Sequence, residues 1–392
     1  MRSAFRRCPL AAVLTLLACV SNVSKGPRHA VESGTRASPD FDWELPAGFP
    51  IPEVPEDNPI SRPKVDLGRH LFFDKRLSSD GTFSCATCHK PELAFTDGLR
   101  QSVGVTGEKH PRGSMSLANA AYGASLTWAD PNLTRLEEQM LIPMFSDQPI
   151  ELGLSGNRGR VLDDLRREPR YGDLFENAFP EDSDPFTFDN VVRAIASFER
   201  TLISGNSAYD RYVYWGETDG FSESARAGMR LFFSAELKCS VCHSGFNFSG
   251  PVRFSGSPAT LPEFHNTGLY NIDGTGAYPP GNQGLIEHTS EPEDMGRFRA
   301  PTLRNIAVTA PYTHDGSVET LGEMIAHYAN GGRSFHRDGS TEVGAENPYK
   351  SAEVQGFEIT AEEVEQLISF LESLTDRDFL EDPRSQDPWL SH

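Results

Sequence analysis

Cys85-Ala86-Thr87-Cys88-His89 and Cys239-Ser240-Val241-Cys242-His243 are the two stretches around which the chain is read. Each fits C-x-x-C-H, the attachment signature of c-type haem. The two thiols form thioethers to the haem vinyl groups, and the adjacent imidazole becomes the proximal iron ligand. Other readings explain less. A thioredoxin-like C-x-x-C needs a neighbouring βαβ pattern, and neither copy has one. A structural zinc site needs its cysteine pairs close in sequence, whereas these lie roughly 150 residues apart. A pair of disulfides leaves the histidine after each motif unexplained. Of the 6 cysteines, Cys8 and Cys19 lie near the N-terminus and the other four are used here.

The 392 residues are enough for two domains, each burying its own core. A formal charge of -20 excludes nucleic acid as a partner, because a phosphate backbone needs a basic surface. A cationic protein suits it better. The first 19 residues read as an export signal: Arg2, Arg6 and Arg7 precede an apolar stretch, Leu10 to Val20, too short to span a bilayer. Leu16-Leu17-Ala18-Cys19 resembles a lipobox. Two outcomes stay open there: a lipidated Cys19 that anchors the chain to the outer membrane, or ordinary cleavage nearby. Both place the chain in the periplasm, on the side of the bacterial membrane where c-type haem is attached.

Residues 20–60 read as a tether followed by an extended arm, too Pro-rich for a helix from Phe41 to Pro55. An internal repeat follows. Gly68-Arg69-His70-Leu71-Phe72-Phe73 precedes the first haem motif and Gly228-Met229-Arg230-Leu231-Phe232-Phe233 the second. Each reads as the end of an apolar helix packed on haem, the second N-capped at Ser222. Val191, Ile195, Phe198 and Leu202 share one helical face at the end of the first half. Thr360 and Glu363 form a capping box before Leu367, Ile368, Phe370, Leu371 and Leu374 at the end of the second. Residues 244–300 read as long loops. The expected fold is mainly α: two class I cytochrome c-like domains, residues 61–205 and 206–380, each with one covalently bound c-type haem.

Several longer blocks resemble one family. They are Leu67-Gly68 to Ser78, both haem motifs, Phe198-Glu199-Arg200-Thr201-Leu202, and Arg299-Ala300-Pro301-Thr302-Leu303-Arg304-Asn305 to Ala310-Pro311-Tyr312-Thr313-His314-Asp315-Gly316. By them the chain resembles the bacterial di-haem cytochrome c peroxidase/MauG family. The arm ending Asp57-Asn58-Pro59-Ile60-Ser61 and the run His110 to Asn119 are most similar to its MbnH-like, methanobactin-associated branch.

The resemblance implies use of hydrogen peroxide and a division of labour between the haems. The family's second haem takes its sixth ligand fourteen residues after the histidine of Pro-Tyr-x-His-Asp-Gly. Here that position is Tyr328, as in MauG, where peroxidases have methionine. A phenolate favours oxidised iron. His327 and Met324 are rivals on the same segment. The first haem is implied to be the open, peroxide-facing one: no histidine stands at the spacing of the family's distal ligand, and His110 is displaced by several residues. The family's distal Gln, Pro and Glu match Gln139, Pro143 and Glu151, the last at a spacing two residues longer. A carboxylate there can pass a proton between the two peroxide oxygens. Glu137 or Glu138, in the same helix, would face solvent. Trp128 matches the inter-haem tryptophan, its alternative being a core position beneath residues 119–126. Thr309 and Pro311 match calcium-binding carbonyls, but the family's asparagine ligand aligns with Gly113, which leaves calcium open.

The leading expectation is an oxidase that uses peroxide to reach a bis-Fe(IV)-like state and then oxidises a tryptophan to kynurenine on a partner protein of MbnP type. The alternative is a cytochrome c peroxidase that takes electrons from a small cytochrome. A third reading, an electron-transfer protein with two six-coordinate haems, conflicts with the missing distal ligand.

Overall fold

A computed structural model describes residues 41–390 except 259, 338 and 339. The export signal, both outcomes at Cys19 and the first part of the tether therefore fall outside the described residues. No helix among the described residues is long and apolar enough to cross a membrane.

The helices come in two parallel sets, each built around a glycine. In the first, α1 (Arg62–Phe72) starts at Ser61, whose side chain accepts from the Lys64 amide, with Pro63 in its first turn. It leads through α2 (Cys85–Cys88), α3 (Leu136–Gln139), α4 (Leu141–Phe145), α5 (Arg158–Arg167) and α6 (Pro169–Ala178) to α7 (Phe188–Glu199). A short α8 (Ala208–Asp210) runs into a wide turn at Arg211–Trp215. The second set repeats the plan with α9 (Glu223–Phe232), capped by Ser222, then α10 (Cys239–Cys242), α11 (Ile286–Thr289), α12 (Leu321–Ala329) and α13 (Ala361–Glu372). A last helix, α14 (Arg377–Glu381), follows.

α1 crosses α7 at Gly68, and α9 crosses α13 at Gly228. A Cβ on Gly68 would run into the carbonyl of Ala194, and one on Gly228 into that of Gln366. Glycine is what lets each pair of backbones touch. One apolar core forms around the first crossing, with Leu67, Leu71, Phe72, Val191, Ile195 and Phe198. A second forms around the other, with Phe232, Phe248, Leu367, Phe370 and Leu374.

Strand structure is limited to two short antiparallel pairs among the described residues. β1 (Phe264–His265) pairs with β2 (Phe298–Arg299), and β3 (Ser334–Arg337) with β4 (Ser340–Val343). The arm lies extended on the body, where Pro50 accepts from the Tyr122 hydroxyl at 2.7 Å and Phe49 packs on Phe246. Beyond Leu374 the chain returns to the first core. Phe379 packs against Phe95, and the Trp389 indole donates to the His70 carbonyl at 3.0 Å.

Candidate active site

Two large cavities lie beside the two C-x-x-C-H turns. The first, about 1740 Å³ including its open mouth, is lined by Cys85, Cys88 and His89. The second, about 1690 Å³ on the same measure, is lined by Cys239, Cys242 and His243.

Each histidine is fixed by the turn that follows it. The His89 amide donates to the Cys85 carbonyl at 3.0 Å, and its Nδ1 lies 2.7 Å from the Phe95 carbonyl. Phe95 has a positive φ of 63°, a conformation that aims its carbonyl back at the ring. His243 repeats this: its amide donates to Cys239 at 3.0 Å and its Nδ1 lies 3.1 Å from the carbonyl of Phe248, φ 50°. A carbonyl acceptor places the proton on Nδ1 and leaves the Nε2 lone pair for a metal. Burial lowers both histidines, His243 to about 4, so both rings are neutral at physiological pH. Ser114 adds a hydroxyl that donates to the Cys88 carbonyl at 2.8 Å.

These residues fit a thioether-linked haem. Cys85, Cys88, Cys239 and Cys242 form no disulfide. Burial raises every thiol, Cys88 to about 12 and Cys239 and Cys242 to about 11. A redox dithiol or a zinc thiolate requires the opposite shift. Uncharged sulfurs on an apolar wall, beside an imidazole that presents Nε2, are what covalent haem attachment needs.

The first cavity gathers Gln139, from the end of α3, Pro143, from α4, and Glu151. A loop joins α4 to Glu151, and the Leu152 amide donates to the Pro143 carbonyl at 2.9 Å. That bond ties the end of the loop back to α4, and Glu151 lies on the cavity wall. Burial pushes its carboxyl up to about 7. His110 lines the same cavity, with its Nδ1 occupied by the Arg112 amide at 3.1 Å.

The expectation that α3 carboxylates face solvent holds for Glu138 alone. Glu137 is 9 % exposed, because Arg200 Nη2 bonds both its oxygens at 2.7 Å and Asn58 Nδ2 adds a third bond at 2.8 Å. Its partners are 63 and 79 residues away. Only the tertiary fold reveals them.

On α12, capped by Thr320 and Glu323, Met324 and Tyr328 face the second cavity one turn apart. His327 is not on that wall, and its buried ring nitrogens have no hydrogen-bond partner. Burial pushes the Tyr328 hydroxyl up, so it ionises there only against a cation.

Trp128 borders both cavities, and so does Arg299, which sequence reading placed in a motif without a role. The Trp128 indole donates to the Gly113 carbonyl at 2.9 Å, and the Gly113 amide donates to the His314 carbonyl at 3.0 Å. The His314 ring lies 6.4 Å from the indole and stacks on Phe298 at 3.5 Å. Thr309 and Pro311 belong to the same turn region, off both cavity walls.

A family model for di-haem cytochrome c peroxidases matches residues 62–219. The chain is 33% identical to the methylamine utilization protein MauG of Methylorubrum extorquens, over 84% of each chain. It is 31% identical to the cytochrome c551 peroxidase of Pseudomonas aeruginosa, over 87% of this chain and 86% of that one. A crystal structure of a MauG-like protein associated with microbial copper homeostasis superposes with TM-score 0.87 at 43% identity, covering 89% of this chain and 100% of that one. The chain belongs to the di-haem cytochrome c peroxidase/MauG family, oxidoreductases that act with hydrogen peroxide and carry haem c.

Proposed function

We propose that this enzyme uses hydrogen peroxide to oxidise a tryptophan, to kynurenine, on an exported partner protein of MbnP type. The observation that carries this is Tyr328 on the wall of the second cavity, fourteen residues after His314, where family peroxidases have methionine. When bound, haem supplies iron that peroxide can oxidise and that its axial ligands tune. An anionic phenolate stabilises oxidised iron where a thioether disfavours it, which suits a donor as hard to oxidise as an indole. The proposed anchors are Cys85, Cys88 and His89 for the first haem and Cys239, Cys242 and His243 for the second, with Tyr328 as the sixth ligand of the second.

The chain's own groups divide the remaining work. With its carboxyl near neutrality, Glu151 can take the proton from one peroxide oxygen and return it to the leaving one. Gln139 offers a carboxamide donor beside it, and Pro143 keeps that part of the wall apolar. Trp128 places an oxidisable indole between the cavities. A role in copper handling is part of the proposal, and its support is the likeness to the MauG-like protein associated with microbial copper homeostasis. The periplasmic location, anchoring through Cys19, and a calcium ion near Thr309 and Pro311 belong to the proposal as well.

Met324, on the same wall, favours the alternative of a cytochrome c peroxidase served by a small cytochrome. The Tyr328→Met holoprotein separates the two. Peroxide added to the diferric wild type is expected to change the spectrum of both haems without prior reduction, and the variant is expected to lose the second-haem response. An unchanged variant spectrum removes Tyr328 from the ligand position.

A further inference from the structure

Glu199, a carboxyl in the first cavity, has no part in the chemistry above. It ends α7, is 6 % exposed, lines the cavity, and its Oε2 meets no donor. A carboxylate buried without a partner is costly, so the group holds its proton. The adjacent Arg200 offsets this only in part, because its Nη2 donates to Glu137 instead. Glu137 is held in turn by Asn58, which accepts from Lys64 Nζ at 3.2 Å. The charged and titratable groups around Glu199 are therefore Arg200, which follows it just past the end of α7, Glu137 on α3 and the Cys85 thiol on α2, with Glu151 also in the field at Cys85. Burial outweighs them, and the carboxyl is pushed up to about 8.

Behind this corner a polar pocket opens beneath the arm, lined by Glu56, Asp57, Arg135 and Arg200. It shares the side chains of Ala120, Leu126 and Leu136 with the cavity itself. Nη1 of Arg200, a residue 3 % exposed, is without a partner in this wall.

Reduction of one peroxide to two waters takes two protons and two electrons. Glu151 moves a proton from one oxygen to the other, which releases the first water with no net uptake. The oxygen left behind still requires two protons and two electrons. The electrons come from the reducing substrate of the proposed function, on which this inference rests. Glu151 supplies no proton for that half.

The geometry points to Glu199 as the proton-holding residue of the first cavity. Its O–H bond breaks as the proton passes to the remaining oxygen, solvent in the pocket beneath the arm replaces the proton, and a second such delivery, with the donor's two electrons, completes the second water.

Infrared difference spectra of the holoprotein read the group itself. The wild type is expected to lose a protonated-carboxyl band as pH rises through about 8, and Glu199→Gln to lack that band throughout. In stopped flow, Glu199→Gln is expected to keep the rate of the first peroxide reaction. Its return to the resting spectrum with reductant should slow at least ~10²-fold and lose the alkaline fall. Glu199→Asp, which keeps an acid, should recover part of that rate. A carboxyl band that persists in Glu199→Gln, or a return rate and alkaline fall like the wild type's, overturns the inference. If the proposed partner is wrong, the effective donor changes while the band and the return defect remain, because the remaining oxygen takes the same two protons whichever donor supplies the electrons.

Discussion

At the residue scale, the carbonyls of Phe95 and Phe248 do for the two histidines what neither C-x-x-C-H motif spells out. Each accepts from an imidazole Nδ1 and turns the other nitrogen toward its cavity. The two C-x-x-C-H turns were legible because their spacing is local. The positive-φ phenylalanines that orient the rings were not, although one follows each motif at nearly the same distance. Glu151 was legible only through the resemblance, and its burial on the cavity wall emerged from the fold. With that carboxyl near 7, peroxide attack needs the ionised form. The kcat/KM for peroxide is therefore expected to rise with pH through about 7. Glu151→Gln is expected to lower it by about 10²–10⁴ and flatten the profile, as measured by stopped-flow absorbance over a pH series. A variant with the wild-type rate would move proton transfer to another group.

At the element scale, the sequence repeat announces the same two-helix crossing twice. The motif showed that Gly68 and Gly228 correspond, but not that each sits under a carbonyl of a helix more than a hundred residues further on. Gly228→Ala forces α9 away from α13 and is expected to cost about 1–3 kcal/mol, seen as a lower midpoint in denaturant unfolding of the holoprotein. An unchanged midpoint would mean the backbones are not in contact there. The capping box at Thr360 was readable because capping uses neighbours three residues apart; the one at Thr320 has the same spacing and was not read. The inward turn of Glu137 was not, since its partners Arg200 and Asn58 come from distant segments. On α12, helical periodicity alone separates Tyr328 and Met324 from His327, which the segment's sequence left as rivals.

At the scale of the whole molecule, Trp128 belongs to both cavities, and the segments joining them run through Gly113, His314 and Arg299. Trp128→Phe keeps an aromatic ring but removes the bond to Gly113, with an expected loss of about 1 kcal/mol in stability. The larger expected effect is that the second haem no longer answers when the first meets peroxide; a response that persists would point to another route. The return of the C-terminal segment was not legible, because Phe379 and the Trp389 indole meet Phe95 and His70 from the far end of the chain.

The claim that Tyr328 turns a peroxidase scaffold toward a protein substrate is tested most directly by mass spectrometry. The diferric holoprotein is given peroxide together with a co-expressed MbnP-type partner, in parallel with Tyr328→Met. The expected result is conversion of one partner tryptophan to kynurenine by the wild type, and an unmodified partner with the variant. A partner left intact by both, while both oxidise a reduced small cytochrome, would contradict it.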